Sequence, residues 1–174
     1  MNIGFIGLGL MGKPMAHHID KAGFPIVVYN RTKEKIKKGD FAQNQISHSL
    51  SDIGRYADCV ITMVTKGSDV EEVIFGKDGV VRHAKKGTVF VDMSTIGPTA
   101  AKKIGTKLER IGMHFLDAPV TGGTYGAESG KLTIFVGGNE QIFQKLRPVF
   151  SSMGDNIHYM GETGSGQAIK MINN

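Results

Sequence analysis

The stretch Phe5-Ile6-Gly7-Leu8-Gly9-Leu10-Met11-Gly12 decides how the rest of the chain is read. It is a G-x-G-x-x-G run. It closes a short apolar segment, Asn2 to Ile6, and leads into Met11 to Lys21, where Met11, Met15, Ala16 and Ile19 recur at helical spacing. Three spaced glycines alone mean little in a chain with 24 of them. Between a strand and a helix they read as a dinucleotide-binding turn. Gly7 permits the tight turn, Gly9 lets a pyrophosphate approach the backbone, and Gly12 lets the helix pack closely on the strand. The helix start offers unpaired N–H groups and a partial positive charge to phosphates.

Working outward, the pattern alternates. Pro25 to Tyr29 is a second strand, and Thr32 is placed to cap a basic helix over Lys33 to Lys38. Gln45 to Ser47 reads as a short third strand and Leu50 to Tyr56 as a helix. Cys59 to Val64 is a strong strand, and Ser68-Asp69-Val70-Glu71 has the capping-box pattern of a helix start. Thr88 to Val91 is the next strand, and Gly97-Pro98 opens a helix with proline where its missing N–H does no harm. Met113 to Leu116, Leu132 to Val136 and Ile157 to Tyr159 are further strands, the last two separated by a helix from about Glu140 to Phe150. The glycine-rich stretch Thr121 to Gly130 reads as the longest irregular segment before the chain end. Strands alternating with helices predict an α/β fold of the Rossmann type, a doubly wound, mostly parallel sheet with helices on both faces.

Composition narrows the classes. With 40% hydrophobic and 21% charged residues, the 174-residue chain can fill a core. No apolar run approaches the roughly 20 residues of a membrane helix, and Met1 to Phe5 lacks the basic flank of an export signal. One cysteine, Cys59, within an apolar strand, fits a reducing, cytoplasmic setting. The net charge of +5 could suit nucleic acid, but aromatics are 7% and no groove-reading motif is present; a small polyanion suits the charge as well. His17 and His18 are adjacent and so face different directions, without metal-ligand spacing; they read as surface or packing residues, and no metal is expected. Met11, Met15, Met63, Met93 and Met171 read as fillers of core gaps.

After the second strand of an NAD site, an Asp or Glu usually accepts from the ribose hydroxyls. Here stand Asn30, Arg31 and Thr32. Arg31 can fork onto a 2′-phosphate and stack on adenine, Thr32 adds a hydroxyl, and Lys33 is a possible second cation. The expected cofactor is NADP(H). Three further stretches suggest reaction chemistry. Val91-Asp92-Met93-Ser94-Thr95 closes a strand at the carboxyl edge, where ligands bind in such sheets. Asp117-Ala118-Pro119-Val120-Thr121-Gly122-Gly123 offers backbone N–H groups suited to a carboxylate, with Asp117 read as orienting that loop through local backbone bonds. Gly164 to Asn174 starts a helix on which Lys170 and Asn174, four apart, share a face.

These stretches together resemble the β-hydroxyacid dehydrogenase family, whose members include 3-hydroxyisobutyrate dehydrogenase and tartronate semialdehyde reductase. The matching runs are Phe5 to Ala16, Asp92 to Thr95, Asp117 to Gly123 with Gly126-Ala127 and Gly130, and Lys170 to Asn174, in the family's order. The resemblance implies roles. Gly7, Leu8, Gly9, Leu10, Met11 and Gly12, with Asn30, Arg31, Thr32, Met63, Val64, Ser94 and Thr95, would bind the cofactor. Thr121, Gly122, Gly123 and Asn174 would bind a small carboxylate substrate. Lys170 would be the general acid/base. The resemblance also implies a cofactor-binding domain over residues 1–163. Residues 164–174 would begin an interdomain helix leading to an all-α domain that is absent here; that domain would build a dimer or tetramer. The chain without it is expected to bind cofactor and turn over poorly. Two departures stand out: Met63-Val64-Thr65-Lys66-Gly67 lacks the proline often found there, and Thr121 replaces the commoner serine. Rival readings are a 6-phosphogluconate dehydrogenase-like enzyme, which shares the Asn-Arg-Thr site, and a non-catalytic NADP-binding module.

Overall fold

Five short apolar segments run parallel, side by side, in the order β2 (Ile26–Tyr29), β1 (Ile3–Ile6), β3 (Cys59–Thr62), β4 (Val89–Asp92) and β5 (His114–Asp117). Beyond them β7 (Leu132–Gly138) runs antiparallel to β5 and to the two-residue β6 (Val120–Thr121), and β8 (Gly154–Gly161) lies parallel to β7. The seven helices are α1 (Gly12–Lys21), α2 (Leu50–Tyr56), α3 (Gly67–Phe75), α4 (Pro98–Arg110), α5 (Gly123–Ser129), α6 (Glu140–Met153) and α7 (Ser165–Asn173). This is a computed structural model, and it describes residues 1–174. No helix is long and apolar enough to cross a membrane.

The two-residue period of the strands builds two cores. Ile3, Phe5, Cys59, Ile61, Val91 and Leu116 face one side, where they meet Met15 and Ile19 of α1 and Phe143 and Leu146 of α6. Ile6, Val60, Phe90 and Phe115 face the other, against Ile53 of α2, Val70 and Ile74 of α3, and Ile104 and Leu108 of α4. Strands buried on both faces explain the near-continuous apolar runs.

Register matters most for the site. Tyr29, Ile6, Thr62, Asp92 and Asp117 pair in one row across the carboxyl ends of β2, β1, β3, β4 and β5. The glycine turn, Asn30 to Thr32, Met63-Val64, Ser94-Thr95 and the stretch after Asp117 all leave from that row, whereas Gly164 to Asn174 follows β8. The chain turns from β1 to β2 on one side and later crosses to β3 on the other, so a crevice opens where the two connections diverge.

Several local expectations give way to tertiary contacts. The basic helix after Thr32 is one 3₁₀ turn, Lys33–Lys35, and Thr32 makes no side-chain cap. Its like charges and lack of an apolar stripe leave nothing to hold a longer helix. The third strand shrinks to a bridge between Val28 and Ile46. Helix α3 begins at Gly67 with Lys66 at its cap position, so Ser68 caps nothing. Glu71 instead accepts from Lys103 at 2.9 Å and Lys107 at 2.8 Å on α4, which hold its carboxyl below the ordinary value. The stretch taken as irregular contains α5, entered through Gly122 and ended by Gly130, both at positive φ. Met15 and Met93 are buried, but Met171 is exposed on α7, not a core filler.

Candidate cofactor and catalytic site

The glycine turn is built by two glycines for the protein's own sake and by one that the protein does not need. Gly7 sits at φ +101°, and a Cβ there would lie 2.1 Å from the Met63 carbonyl oxygen. A Cβ on Gly12 would strike the Gly7 carbonyl oxygen, closing the contact between α1 and the turn. A Cβ on Gly9 would meet nothing within 4 Å. Packing therefore explains Gly7 and Gly12 but not Gly9, whose bare backbone faces open space. A cleft of about 550 Å³ lies over this turn, lined by Gly7, Gly9, Leu10, Met11 and Gly12 and by Asn30, Arg31 and Thr32. A dinucleotide's pyrophosphate fits that opening, because a Cβ on Gly9 would fill it. Leu8 has a different part: its side chain is in the core and its N–H donates to Asn30 Oδ1 at 2.9 Å.

Asn30 joins the turn to the end of β2. Its Nδ2 donates to the Thr32 carbonyl at 2.7 Å, so both ends of its amide shape the loop. The segment that follows is tied to α1 by Lys13, which donates to Asp40 Oδ2 at 2.6 Å and to the Lys35 carbonyl at 3.1 Å. That bond holds the Asp40 carboxyl below its ordinary value. His17 stacks on Phe41 with ring centroids 4.3 Å apart, and His18 meets the Glu128 carbonyl at 2.9 Å, so both are packing residues. Arg31 projects freely, 85% exposed, with Asp69 of α3 3.8 Å away. The opposite wall of the cleft comes from Met63, Val64 and Thr65 after β3.

The carboxyl ends of β4 and β5 are of another kind. Asp92 is fully buried at the end of β4. Its Oδ1 accepts from Thr62 Oγ1 at 2.8 Å and from Ser94 Oγ at 2.7 Å, while its Oδ2 has no partner. Burial pushes this carboxyl up to about 7, the two hydroxyl bonds resisting and the charge on Asp117 adding to the rise. Ser94 Oγ also accepts from the Val64 N–H at 2.9 Å. Ser94 thus has its hydroxyl committed to fixing the loops after β3 and β4 against each other; Thr95 is exposed beside it.

Asp117 does not bond locally. Its Oδ1 accepts from the Gly164 N–H at 2.7 Å and its Oδ2 from the Gln167 N–H at 2.9 Å, so the end of β5 caps the start of α7. Burial raises its pKa, partly offset by these N–H groups. Gln167, fully buried, accepts from the N–H groups of Ile96 and Gly97 at 3.0 Å each and donates to the Ser94 carbonyl at 2.8 Å. Lys170 follows one turn later. It is 8% exposed and has no carboxylate partner, and burial lowers its pKa. A lysine buried without a counter-ion is uncommon, because desolvation disfavours its charged form. Thr121 ends β6, and Gly122 and Gly123 lead into α5, whose first N–H groups have no partner inside the helix. Asn174 is exposed, its N–H donating to the Lys170 carbonyl at 3.1 Å.

Residues 2–161 match the family model described as the NAD binding domain of 6-phosphogluconate dehydrogenase. The chain belongs to this family. Within it, the chain is similar to an oxidoreductase of Bacillus subtilis, 48% identical over 98% of this chain and 59% of that protein. It is also similar to the mitochondrial 3-hydroxyisobutyrate dehydrogenase of Rattus norvegicus, 40% identical over 99% of this chain and 51% of the rat protein. Among solved structures, a 3-hydroxyisobutyrate dehydrogenase of Mycobacterium tuberculosis with L-serine superposes with a TM-score of 0.92 at 34% identity, over 99% of this chain and 58% of that one. The chain therefore spans a little over half the length of these relatives.

For an NAD-binding domain of this family, the sequence located the glycine turn, the end of β2 and the β3 loop, which line one crevice; Ser94, Thr95, Thr121, Gly122, Gly123, Lys170 and Asn174 do not line it. It missed Gln167, Thr62 and the long reach of Asp117. Gln167 stands on the same helix as Lys170, and a buried amide three residues before a candidate base was its only signal.

Proposed function

We propose that this chain carries the cofactor site and the catalytic lysine of an NADP-dependent dehydrogenase acting on a small β-hydroxyacid and its semialdehyde. The observation that carries the reading is Lys170. It is buried and unpaired, on a helix pinned by Asp117 to β5 and by Gln167 to the β4 loop. A dinucleotide held by its pyrophosphate at the glycine turn would supply the hydride acceptor or donor. As the hydride leaves the alcohol carbon, the hydroxyl proton passes to Lys170 Nζ and the carbonyl forms; in reduction the same ammonium returns it. Desolvation lowers the lysine pKa, the direction a general base at this position needs. Thr121, Gly122 and Gly123 would hold the substrate carboxylate, and Asn174 would position the substrate. L-serine, present in the mycobacterial neighbour, is itself a β-hydroxyacid.

Arg31 supports NADP(H) over NAD(H). Its guanidinium is 85% exposed at the end of β2, with Asp69 of α3 3.8 Å away, and stands where an acid on β2 itself would repel a 2′-phosphate. The relatives are longer than this chain, and a helical domain that completes the pocket and a homo-oligomer are part of the same proposal. Activity belongs to the full-length protein, with this chain alone binding cofactor and turning over poorly. The test is NADPH absorbance against a panel of semialdehydes. Lys170→Ala is expected to lower kcat about 10²- to 10⁴-fold with cofactor affinity retained. Unchanged turnover in that variant refutes the assignment of Lys170.

A further inference from the structure

The ribose end of the cleft contains a pair of opposite charges that the proposed function leaves unused. Asp69, in the first turn of α3, lies across the cleft from the end of β2, with its Oδ1 3.8 Å from Arg31 Nη1. Arg31 makes no other ion pair, and the Asp69 carboxylate makes none besides this one. Both residues line the cleft. Glu72 and Asp78 line it as well, so the cleft carries three acids together with Arg31 and Lys35.

Two ribose chemistries read this wall in opposite ways. A 2′-phosphate is a dianion; it gains Arg31 but must first take it from Asp69, and Asp69 then repels it. A 2′,3′-diol donates hydrogen bonds and needs a carboxylate to receive them. The end of β2 lacks one, having Asn30 with its amide already committed to Leu8 and Thr32. Asp69 puts a carboxylate at that end of the cleft from a different element.

We propose that Asp69 is a specificity-determining residue of the cofactor site, holding Arg31 when no 2′-phosphate is present and offering a ribose diol the carboxylate that β2 omits. The site is then tuned between the two cofactors, with Arg31 favouring NADP(H) and Asp69 moderating that preference. The inference rests on the 2′-phosphate reading of Arg31, and one set of titrations tests the two separately. NADP⁺ and NAD⁺ are titrated calorimetrically into the protein, its Asp69→Asn variant and its Arg31→Ala variant, at low and high salt. Asp69 is at the surface of the cleft, and the Asn variant keeps its shape. The expected result is that Asp69→Asn raises the ratio of NADP⁺ to NAD⁺ affinity by about threefold, an effect that shrinks at high salt. If Arg31→Ala lowers that ratio while Asp69→Asn leaves it unchanged or lowers it, the role of Asp69 is overturned and the phosphate reading stands. If Arg31→Ala leaves the ratio unchanged, the phosphate reading falls and the inference with it.

Discussion

The cofactor crevice and the buried cluster at the ends of β4 and β5 are built on different principles. At the ribose end, Arg31 is 85% exposed and no hydrogen bond fixes its guanidinium. In the cluster, Asp92, Ser94, Asp117 and Gln167 are buried and bonded to one another's loops at 2.7–2.9 Å. A ligand can rearrange the first at little cost to the fold. The second is part of the fold, and it fixes the start of the helix that carries Lys170. Preorganised groups avoid reorganisation during reaction, whereas a side chain that selects between cofactors can be left to the ligand.

Perturbing the buried cluster is expected to give the largest effect. Asp117→Ala strands the buried N–H groups of Gly164 and Gln167 and loosens α7, at a cost of about 3 kcal/mol or more. Denaturant unfolding reads the loss, and amide exchange localises it to α7. A variant as stable as the parent, with α7 equally protected, would show that the cap does not hold the helix.

Asp92 gives a pH-dependent effect that is smaller for each pH unit. The unfolded chain releases this proton near pH 4, roughly the ordinary carboxylate value, while the folded chain retains it up to about 7. Between those values the folded state binds the extra proton, so stability falls as pH rises through the window. Asp92→Asn, neutral throughout, is expected to flatten that slope, by on the order of 1 kcal/mol for each pH unit crossed inside the window. Equal slopes in the two proteins between about pH 4 and about pH 7 would mean that Asp92 ionises normally.

The smallest effect on stability comes at the open turn. Gly9→Ala should alter unfolding free energy by no more than about 0.5 kcal/mol, since its Cβ meets nothing within 4 Å. The same methyl should weaken dinucleotide binding by about tenfold or more through a clash with the ligand. Stability lost without loss of affinity would invert the contrast between the two regions.

Much of the architecture was legible because it is local. The strand cores at Ile3 to Ile6 and Cys59 to Thr62, the glycine turn and the Gly97-Pro98 helix start are each determined within a few residues. The errors fall where short-range signals compete with packing. Glycines in Thr121 to Gly130 suggested a loop, yet Gly122 and Gly130 supply the turns at both ends of α5, while Gly126 lets it pack beside Leu132. Ser68 and Glu71 had the spacing of a cap, yet two lysines on α4 took Glu71.

What the sequence by itself determined is the alternation that makes the doubly wound sheet and the residue types gathered at its carboxyl edge. Periodicity and turn chemistry act over a few residues, and those are written in order along the chain. What only the tertiary structure decided is the machinery behind Lys170. Asp117 reaches Gln167 across 50 positions, and Gln167 reaches Ser94 across 73. Bonds of that span depend on the register of the whole sheet, which brings Asp92 and Asp117 side by side, and no local pattern encodes it.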